Sequence, residues 1–201
     1  MTDIRIGVLG IQGAFAKHAE VIAGAGVEVC VIKYREQLEH IDGLIIPGGE
    51  STAMTKMFGF RIDENDLRFF GKSKPVFGTC AGLILIGSAS DDPRVRPLEL
   101  MDVRVDRNAY GSQKESFVED ITLDFDRTYP FPAIFIRAPR VVSFHPDIRV
   151  LSHAGNTPVL LESRLHLGAS FHPELTADKR IHQYFVQKVK EIKNGEKKHA
   201  S

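Results

Sequence analysis

Residues 75–89 read PVFGTCAGLILIGSA and contain the clearest structural signal in the chain. The first part of this stretch is a short apolar run of the kind that forms a buried strand, and its second part is an apolar run with helical spacing. Between them, residues 78–82 read G-T-C-A-G, a G-x-C-x-G pattern at the point where strand gives way to helix. A tight turn strains its central residue, and flanking glycines avoid clashes with neighbouring backbone. The stretch therefore predicts a strand, an elbow at Cys80 and a helix.

Cys80 is the candidate nucleophile of this elbow. At a helix N-terminus, backbone N–H groups and the helix dipole favour the thiolate, which is the reactive form of cysteine. The alternative interpretation is a buried structural cysteine, since free cysteine is commonly buried. Cys30, in the apolar run 27–33, lacks the elbow context. We interpret it as a core residue.

The segments around the elbow indicate the fold class. Three more apolar runs rich in Val and Ile, at 4–10, 27–33 and 43–49, predict buried parallel strands, with helical spacing after the first and third. This alternation predicts an α/β open sheet with right-handed crossovers. From 98 to 171 the chain is strand-like, and a final amphipathic helix is expected over 176–192 with Thr176 as its N-cap.

Composition limits the possible functions. A chain of 201 residues with 43% hydrophobic content is expected to form one domain, which we place at 1–192, with a disordered tail at 193–201. Lys+Arg and Asp+Glu are 26 each, which argues against a nucleic-acid binder and favours a small polar substrate or a protein partner. The sequence shows no signal peptide and no apolar run long enough for a bilayer. We therefore expect a cytoplasmic protein without membrane contact.

A second glycine-rich segment, IIPGGEST at 45–52, offers candidate oxyanion donors. Gly48 and Gly49 lie at the carboxyl end of a predicted strand, which is where α/β proteins bind ligands. Backbone donors aimed at a developing oxyanion give large electrostatic stabilisation. The alternative is an ordinary glycine turn capped by Ser51 or Thr52.

Two nearly identical pentapeptides supply candidate general bases: SFHPD at 143–147 and SFHPE at 170–174. His172 precedes the predicted last helix, so it lies at a strand end where an α/β sheet presents its site. His145 precedes another strand-like run and is expected in a turn between two strands. Proline suits a turn as well as a catalytic arm. We predict that His172 is the base and that His145 serves structure or surface.

Six segments in order resemble the class I glutamine amidotransferases, most closely the branch formed by the glutaminase subunits of pyridoxal 5'-phosphate synthase. The segments span nearly the whole chain: GVLGIQGAFAKH at 7–18, PGGEST at 47–52, PVFGTCAGLIL at 75–85, MDVRVDRNAYGSQKESF at 101–117, FIRAP at 135–139 and SFHPELT at 170–176. The resemblance implies a three-layer, flavodoxin-like α/β fold with an open, mixed and mainly parallel sheet flanked by helices.

The resemblance also implies a mechanism. Cys80 attacks the side-chain amide of L-glutamine, ammonia leaves, and water hydrolyses the glutamyl thioester to L-glutamate. His172 is the implied general base and acid, and Glu174 orients it and stabilises its imidazolium. Matching positions imply a substrate-binding set of Gly49, Glu50, Ser51, Arg107, Ile136 and Arg137. Gly48 and Gln12 match segments near the oxyanion hole and the partner surface.

The family implies a protein partner and no cofactor. Its glutaminases pass ammonia to a separate (β/α)8-barrel synthase that makes pyridoxal 5'-phosphate, and no such barrel fits in 201 residues. We therefore expect a hetero-oligomer, with neither a metal ion nor a cofactor in the glutaminase chain. Residues 88–100, SASDDPRVRPLEL, are more charged than the usual pattern. Loop geometry is expected to differ there.

Three alternatives keep parts of this interpretation. A G-x-x-G-x-x-G run at 7–13 suggests a non-catalytic dinucleotide-binding α/β module, but the second strand ends in basic VCVIKYR, where an acidic residue is expected. Another branch of glutamine amidotransferases, such as the histidine-biosynthesis glutaminase, would share the chemistry. A cysteine hydrolase or deglycase-like protein would share only the fold.

Overall fold

The structure is a computed structural model that describes residues 4–10, 13–49, 61–107 and 116–199, with side chains described as far as 195. Within these ranges the chain forms twelve strands and four α-helices. The strands are β1 Arg5–Leu9, β2 Glu28–Ile32, β3 Gly43–Ile46, β4 Val76–Thr79, β5 Ala89–Ser90, β6 Val103–Asp106, β7 Ser116–Leu123, β8 Asp126–Ile136, β9 Arg140–Phe144, β10 Arg149–Ala154, β11 Thr157–Glu162 and β12 Leu167–Ala169. The helices are α1 Phe15–Ala23, α2 Glu64–Gly71, α3 Ala81–Ile86 and α4 Arg180–His199.

Seven strands form the central sheet, in the order β10-β11-β12-β4-β3-β1-β2. The pairs β12-β4, β4-β3, β3-β1 and β1-β2 are parallel, whereas β10-β11 and β11-β12 are antiparallel. The prediction of an open, mixed and mainly parallel sheet is therefore confirmed. The carboxyl ends of β1, β3, β4 and β12 all point to one edge, where an α/β protein binds its ligands.

The central sheet is buried on both faces. Along β3, Leu44 and Ile46 belong to one apolar cluster, and Ile45 belongs to the other, because successive strand side chains point to opposite faces. The first cluster includes α2 and α3, and the second includes α1, α4 and the inner face of β8. One face of the sheet is thus covered by helices α2 and α3, and the other by α1, α4 and the strand β8. This gives the expected three-layer arrangement.

Smaller sheets extend the second half of the chain. Strands β5, β6 and β9 form a three-stranded sheet, and β7 and β8 form a long antiparallel hairpin. The described part of this half contains no α-helix before α4, as the sequence predicts. The hairpin matters for function because β8 ends at Ile136, beside the elbow cysteine.

Helix α4 differs from its prediction at both ends. The stripe of Ile181, Phe185 and Val189 is fully buried as expected. The helix begins at Arg180 and not after Thr176, because Thr176 Oγ1 instead accepts the Asp178 N–H at 3.0 Å in the preceding turn. The helix continues to His199, where we expected a disordered tail from 193.

Helix α2 was absent from our sequence interpretation. Asp63 accepts the Asp66 N–H at 2.8 Å, and Asp66 accepts the Asp63 N–H at 2.9 Å, so the two carboxylates form a capping box. The helical spacing predicted after the third apolar run, carried by Met54, Met57 and Phe58, lies outside the described residues. Across the part of the chain that is described, no helix is long and apolar enough to span a membrane.

Candidate active site

Cys80 occupies the predicted elbow between β4 and α3. Its backbone has φ 50° and ψ −111°, a conformation that non-glycine residues rarely adopt. Its N–H donates to the Ala169 carbonyl at 2.8 Å, which ties the elbow to the end of β12. Strain of this kind persists only where surrounding contacts hold it, and it is concentrated at functional sites.

The two glycines of the elbow are required by close backbone approach. A Cβ on Gly78 would lie 2.5 Å from the Gly82 carbonyl oxygen, and a Cβ on Gly82 would lie 2.0 Å from the Ile46 carbonyl oxygen. No side chain fits at either distance. The steric interpretation of the G-x-C-x-G pattern is therefore confirmed, and the close approach positions the Cys80 turn directly against the end of β3.

His172 and Glu174 reach the elbow from the loop after β12. The His172 N–H donates to the Ile134 carbonyl at 2.8 Å, and His172 Nδ1 lies 2.7 Å from Glu174 Oε1. Glu174 belongs to the 3-10 helix Pro173–Leu175 and is only 3% exposed. Gly48 is the contact between this pair and Cys80: a Cβ there would be 2.6 Å from His172 Cε1 and 3.1 Å from Cys80 Cβ.

Electrostatic coupling holds this pair charged. Burial opposes protonation of His172, but hydrogen bonding to Cys80 and Glu174 outweighs burial and raises its pKa to about 10. Burial likewise acts to raise the pKa of Glu174, but the hydrogen bond from His172 and then the contact with His18 lower it well below its ordinary value. An imidazolium beside an ionised carboxylate is thus the stable state of the site.

The Gly48 turn is fixed from two sides. The Gly48 N–H donates to Thr79 Oγ1 at 3.1 Å. From the turn between β1 and α1, Gly13 approaches so closely that a Cβ on it would lie 1.7 Å from the Gly48 carbonyl oxygen. Gly13 also has φ +89°, a conformation open mainly to glycine. Gly49 follows as an exposed residue at the rim of the site.

Ile136 and Arg137 lie at the end of β8. The Ile136 carbonyl oxygen is 3.9 Å from Cys80 Sγ, so this backbone borders the candidate nucleophile. Arg137 is exposed and has φ 43°, the second strained non-glycine conformation near the elbow. The structure therefore brings the FIRAP segment to the same place as Cys80.

Arg107 is held by the charged segment 88–100. Its guanidinium lies 2.8 Å from Asp92 Oδ2, and its backbone N–H donates to Asp91 Oδ1 at 2.8 Å. Hydrogen bonds from Arg94 and then from Arg107 lower the pKa of Asp92 below its ordinary range. The acidic pair of this segment thus anchors Arg107.

Several predicted residues have other outcomes. Gln12, Glu50 and Ser51 lie outside the described residues. His145 lies in the turn between β9 and β10 as expected, and its side chain is 52% exposed, with Nδ1 3.4 Å from Asp147 Oδ2. Cys30 is half-buried in β2, packed against the core, and burial raises the pKa of its thiol.

The sequence interpretation missed two buried histidines beside Glu174. His18 Nε2 lies 3.1 Å from Thr79 Oγ1 and 3.2 Å from Glu174 Oε2, and His18 Nδ1 lies 2.9 Å from His182 Nε2. The available signal was helical periodicity: His18 shares the buried face of α1 with Val21 and Ile22. A histidine on an apolar face needs buried polar partners, and here Thr79 and His182 supply the hydrogen bonds while Glu174 supplies the charge contact.

An open α/β sheet with a cysteine at a strand-to-helix elbow and a histidine-glutamate pair beside it is the architecture of enzymes that use a cysteine nucleophile. Comparison with known proteins narrows this class. The family model described as the SNO glutamine amidotransferase family matches residues 8–191. The chain belongs to this glutamine amidotransferase family.

Individual relatives agree with the family. A pyridoxal 5'-phosphate synthase subunit PdxT from Halalkalibacterium halodurans is 47% identical over 193 residues, covering 94% of this chain and 97% of that protein. The protein of the same name from Thermotoga neapolitana is 43% identical, covering 93% and 100%. A crystal structure of a glutamine amidotransferase superposes with a TM-score of 0.85 at 37% identity, covering 92% of this chain and 98% of that one.

Proposed function

We propose that this chain hydrolyses L-glutamine to L-glutamate and ammonia, and that it supplies the ammonia to a partner subunit that synthesises pyridoxal 5'-phosphate. One observation carries the chemical part: a strained elbow cysteine lies beside a histidine whose Nδ1 is hydrogen-bonded to a buried carboxylate. The names of the relatives support the choice of partner.

In the proposed reaction the Cys80 thiolate attacks the side-chain carbonyl carbon of glutamine and forms a tetrahedral oxyanion. His172 then gives its proton to the amide nitrogen, the C–N bond breaks, and ammonia leaves a glutamyl thioester. Neutral His172 next takes a proton from water, whose oxygen attacks the thioester. The C–S bond breaks, glutamate leaves, and the thiolate–imidazolium pair is restored.

Glu174 acts on His172 and not on glutamine. Its Oε1 accepts from His172 Nδ1 at 2.7 Å, which leaves Nε2 as the ring nitrogen that exchanges protons with Cys80, ammonia and water. Because Glu174 stays ionised, it stabilises the imidazolium before attack and orients the neutral ring afterwards.

We assign the oxyanion contacts to the backbone N–H groups of Ala81 and Gly49. Ala81 follows the nucleophile at the start of α3, where an N–H of this kind commonly forms half of an oxyanion hole. Gly48 receives a different role from the one expected, because its N–H already donates to Thr79 Oγ1. Its lack of a side chain lets His172 approach Cys80.

Glutamine is proposed to bind across the rim formed by the Gly48 turn and the end of β8. We assign its recognition to the set Gly49, Glu50, Ser51, Arg107, Ile136 and Arg137, with Gln12 at the partner side. An arginine fork suits an α-carboxylate because it donates two parallel hydrogen bonds. The strained backbone of Arg137 supports its place in this set, since strain of this kind is maintained where function requires it.

The partner is proposed to be a (β/α)8-barrel synthase, a separate chain that joins this one in a cytoplasmic hetero-oligomer. Neither a nucleic acid nor a membrane enters the proposal. A glutaminase that is fully active alone would release ammonia to solvent. We therefore expect the partner to complete the site and raise turnover.

The test is glutamate release from glutamine by the full chain, with and without its synthase. We expect Cys80→Ala to abolish hydrolysis while still binding the synthase. Cys30→Ala, which removes the other thiol, should retain turnover. Hydrolysis by the Cys80→Ala protein would reject the mechanism, and full turnover without the synthase would reject the proposed coupling.

A further inference from the structure

Two histidines lie behind Glu174, buried between α1 and α4. His18 and His182 are 0% and 1% exposed, and they contact each other through His18 Nδ1 and His182 Nε2 at 2.9 Å. His18 Nε2 faces Glu174 Oε2 at 3.2 Å. Glu174 therefore contacts His172 through one carboxylate oxygen and His18 through the other.

The contacts of His182 determine where its proton lies. Burial lowers its pKa to about 3, so the ring is neutral and carries one N–H. Its Nδ1 has no hydrogen-bond partner among the described residues. A buried N–H without an acceptor costs more than an unused lone pair, so the proton belongs on Nε2, where it is donated to His18 Nδ1.

That donation fixes the tautomer of His18. Since His18 Nδ1 accepts, its own N–H lies on Nε2, which is 3.1 Å from Thr79 Oγ1 and 3.2 Å from Glu174 Oε2. Thr79 Oγ1 is the hydrogen-bonded partner of Nε2, whereas the approach to Glu174 Oε2 is an electrostatic contact outside hydrogen-bond geometry, and no donor within the described ranges hydrogen-bonds to that oxygen. The opposite tautomer would turn a nitrogen lone pair towards an ionised carboxylate, which is repulsive.

We propose that His18 and His182 are positioning residues for the active site: His182 sets the tautomer of His18, and His18 holds Glu174 in place against His172. The proposal rests on the proposed functions of Cys80, His172 and Glu174. The same imidazole also contacts Thr79, whose hydroxyl accepts the Gly48 N–H. His18 thereby links the carboxylate of the triad to the turn that borders Cys80.

A merely structural pair would fill space and nothing more. His182 packs edge-on against Phe77 with ring centroids 6.0 Å apart, so an apolar side chain of similar length would preserve much of this packing. Such a replacement would nevertheless remove the donor to His18. Structural and positioning functions therefore differ in their effects on kcat per folded molecule and on the tautomer of His18.

The first measurement is the tautomer itself, from long-range ¹H–¹⁵N correlation spectra of the full wild-type chain. We expect the N–H of each ring to be found at Nε2, with a lone pair at His18 Nδ1. In His182→Met, His18 should lose this single tautomer. A wild-type His18 protonated at Nδ1 would overturn the proposal, and so would an unchanged His18 spectrum in the variant. This measurement needs no glutamine and no partner, so it remains informative even if the proposed reaction is wrong.

The second measurement is glutamine hydrolysis by the full chain assembled with its synthase. His182→Met should lower kcat about tenfold, as expected for a lost hydrogen bond that supports a charged group, with KM for glutamine within about twofold. His182→Gln, whose terminal amide can donate from nearly the position of Nε2, should recover kcat to within about threefold of wild type. The matched control is His166→Met, which replaces a third buried histidine, one that accepts the Val76 N–H at the opposite end of β4.

The outcomes separate the two functions of the pair. If His182→Met and His166→Met lower thermal stability alike and leave kcat per folded molecule unchanged, the positioning proposal is wrong. Failure of His182→Gln to recover kcat would also count against it. If the wild-type complex does not hydrolyse glutamine, the proposed function fails, and the tautomer measurement still decides whether His182 sets the tautomer of His18.

Discussion

Replacing Gly48 by alanine tests the proposed active site most directly. The new Cβ would lie 2.6 Å from His172 Cε1, about 0.8 Å inside the 3.4 Å at which ordinary van der Waals contact begins. It would also lie 3.1 Å from Cys80 Cβ, so the new methyl group cannot relieve the clash with His172 by moving towards the cysteine. Gly48 does not have a positive φ, so the backbone itself accepts alanine without strain.

The expected result is a displaced imidazole in a folded protein. A misplacement of roughly 1 Å between reacting groups can cost about 10²-fold in rate, so kcat for glutamine hydrolysis should fall by about two orders of magnitude. KM should change by less than about threefold, because the ring moves and the rim residues stay. Overpacking of this size should lower the free energy of unfolding by about 1–3 kcal/mol.

Gly43→Ala is the matched control for this substitution. Gly43 is the first residue of β3, the strand that leads to Gly48. A Cβ on Gly43 would also lie 2.6 Å from a neighbouring atom, but that atom is Val189 Cγ2, far from His172 and Cys80. Gly43→Ala should cost similar stability in urea denaturation and leave kcat within about threefold. If Gly48→Ala keeps wild-type kcat, or if both variants lose activity equally, the steric reasoning about His172 is wrong.

Two further predictions concern histidines. His172→Ala should lower kcat for glutamine hydrolysis by at least about 10²-fold, whereas His145→Ala should retain kcat within about twofold; equal losses would reject the assignment of the base. Burial, with lesser contributions from Lys188 and Arg164, lowers the pKa of His166 to about 4. The unfolded chain therefore binds more protons than the folded chain between about pH 6.5 and 4. As the pH is lowered through that window, this group should decrease the free energy of unfolding by about 3 kcal/mol. Urea denaturation of His166→Met should show a flatter dependence there, and an unchanged slope would contradict the assignment.

The sequence was sufficient where the physical rule is local. The elbow glycines are explained by steric constraints within a few residues of Cys80, and the structure shows the backbone contacts that exclude a Cβ. Likewise the sequence distinguished the two histidines because a helix follows His172 and a strand follows His145. In both cases the deciding information lies within a single segment.

The sequence was insufficient where the deciding contact is distant. His18 and His182 are 164 positions apart, and nothing in either segment indicates that their rings meet behind Glu174. The end of α4 shows the same limit: Lys193 forms an ion pair with Asp42 at 2.9 Å, a contact across 151 positions in a segment that we expected to be a disordered tail. Composition alone made the segment look solvated.

The position of β12 has a consequence for how the protein forms. It is the last described strand in chain order, yet it lies inside the central sheet between β11 and β4, and the Cys80 N–H bonds to its final carbonyl. Until residues 167–169 insert, β4 and β11 both present open edges, which are aggregation-prone. Synthesis of this enzyme should therefore include a late, vulnerable intermediate, and chaperone dependence should end only when β12 closes the sheet and, in the same step, brings His172 to the cysteine.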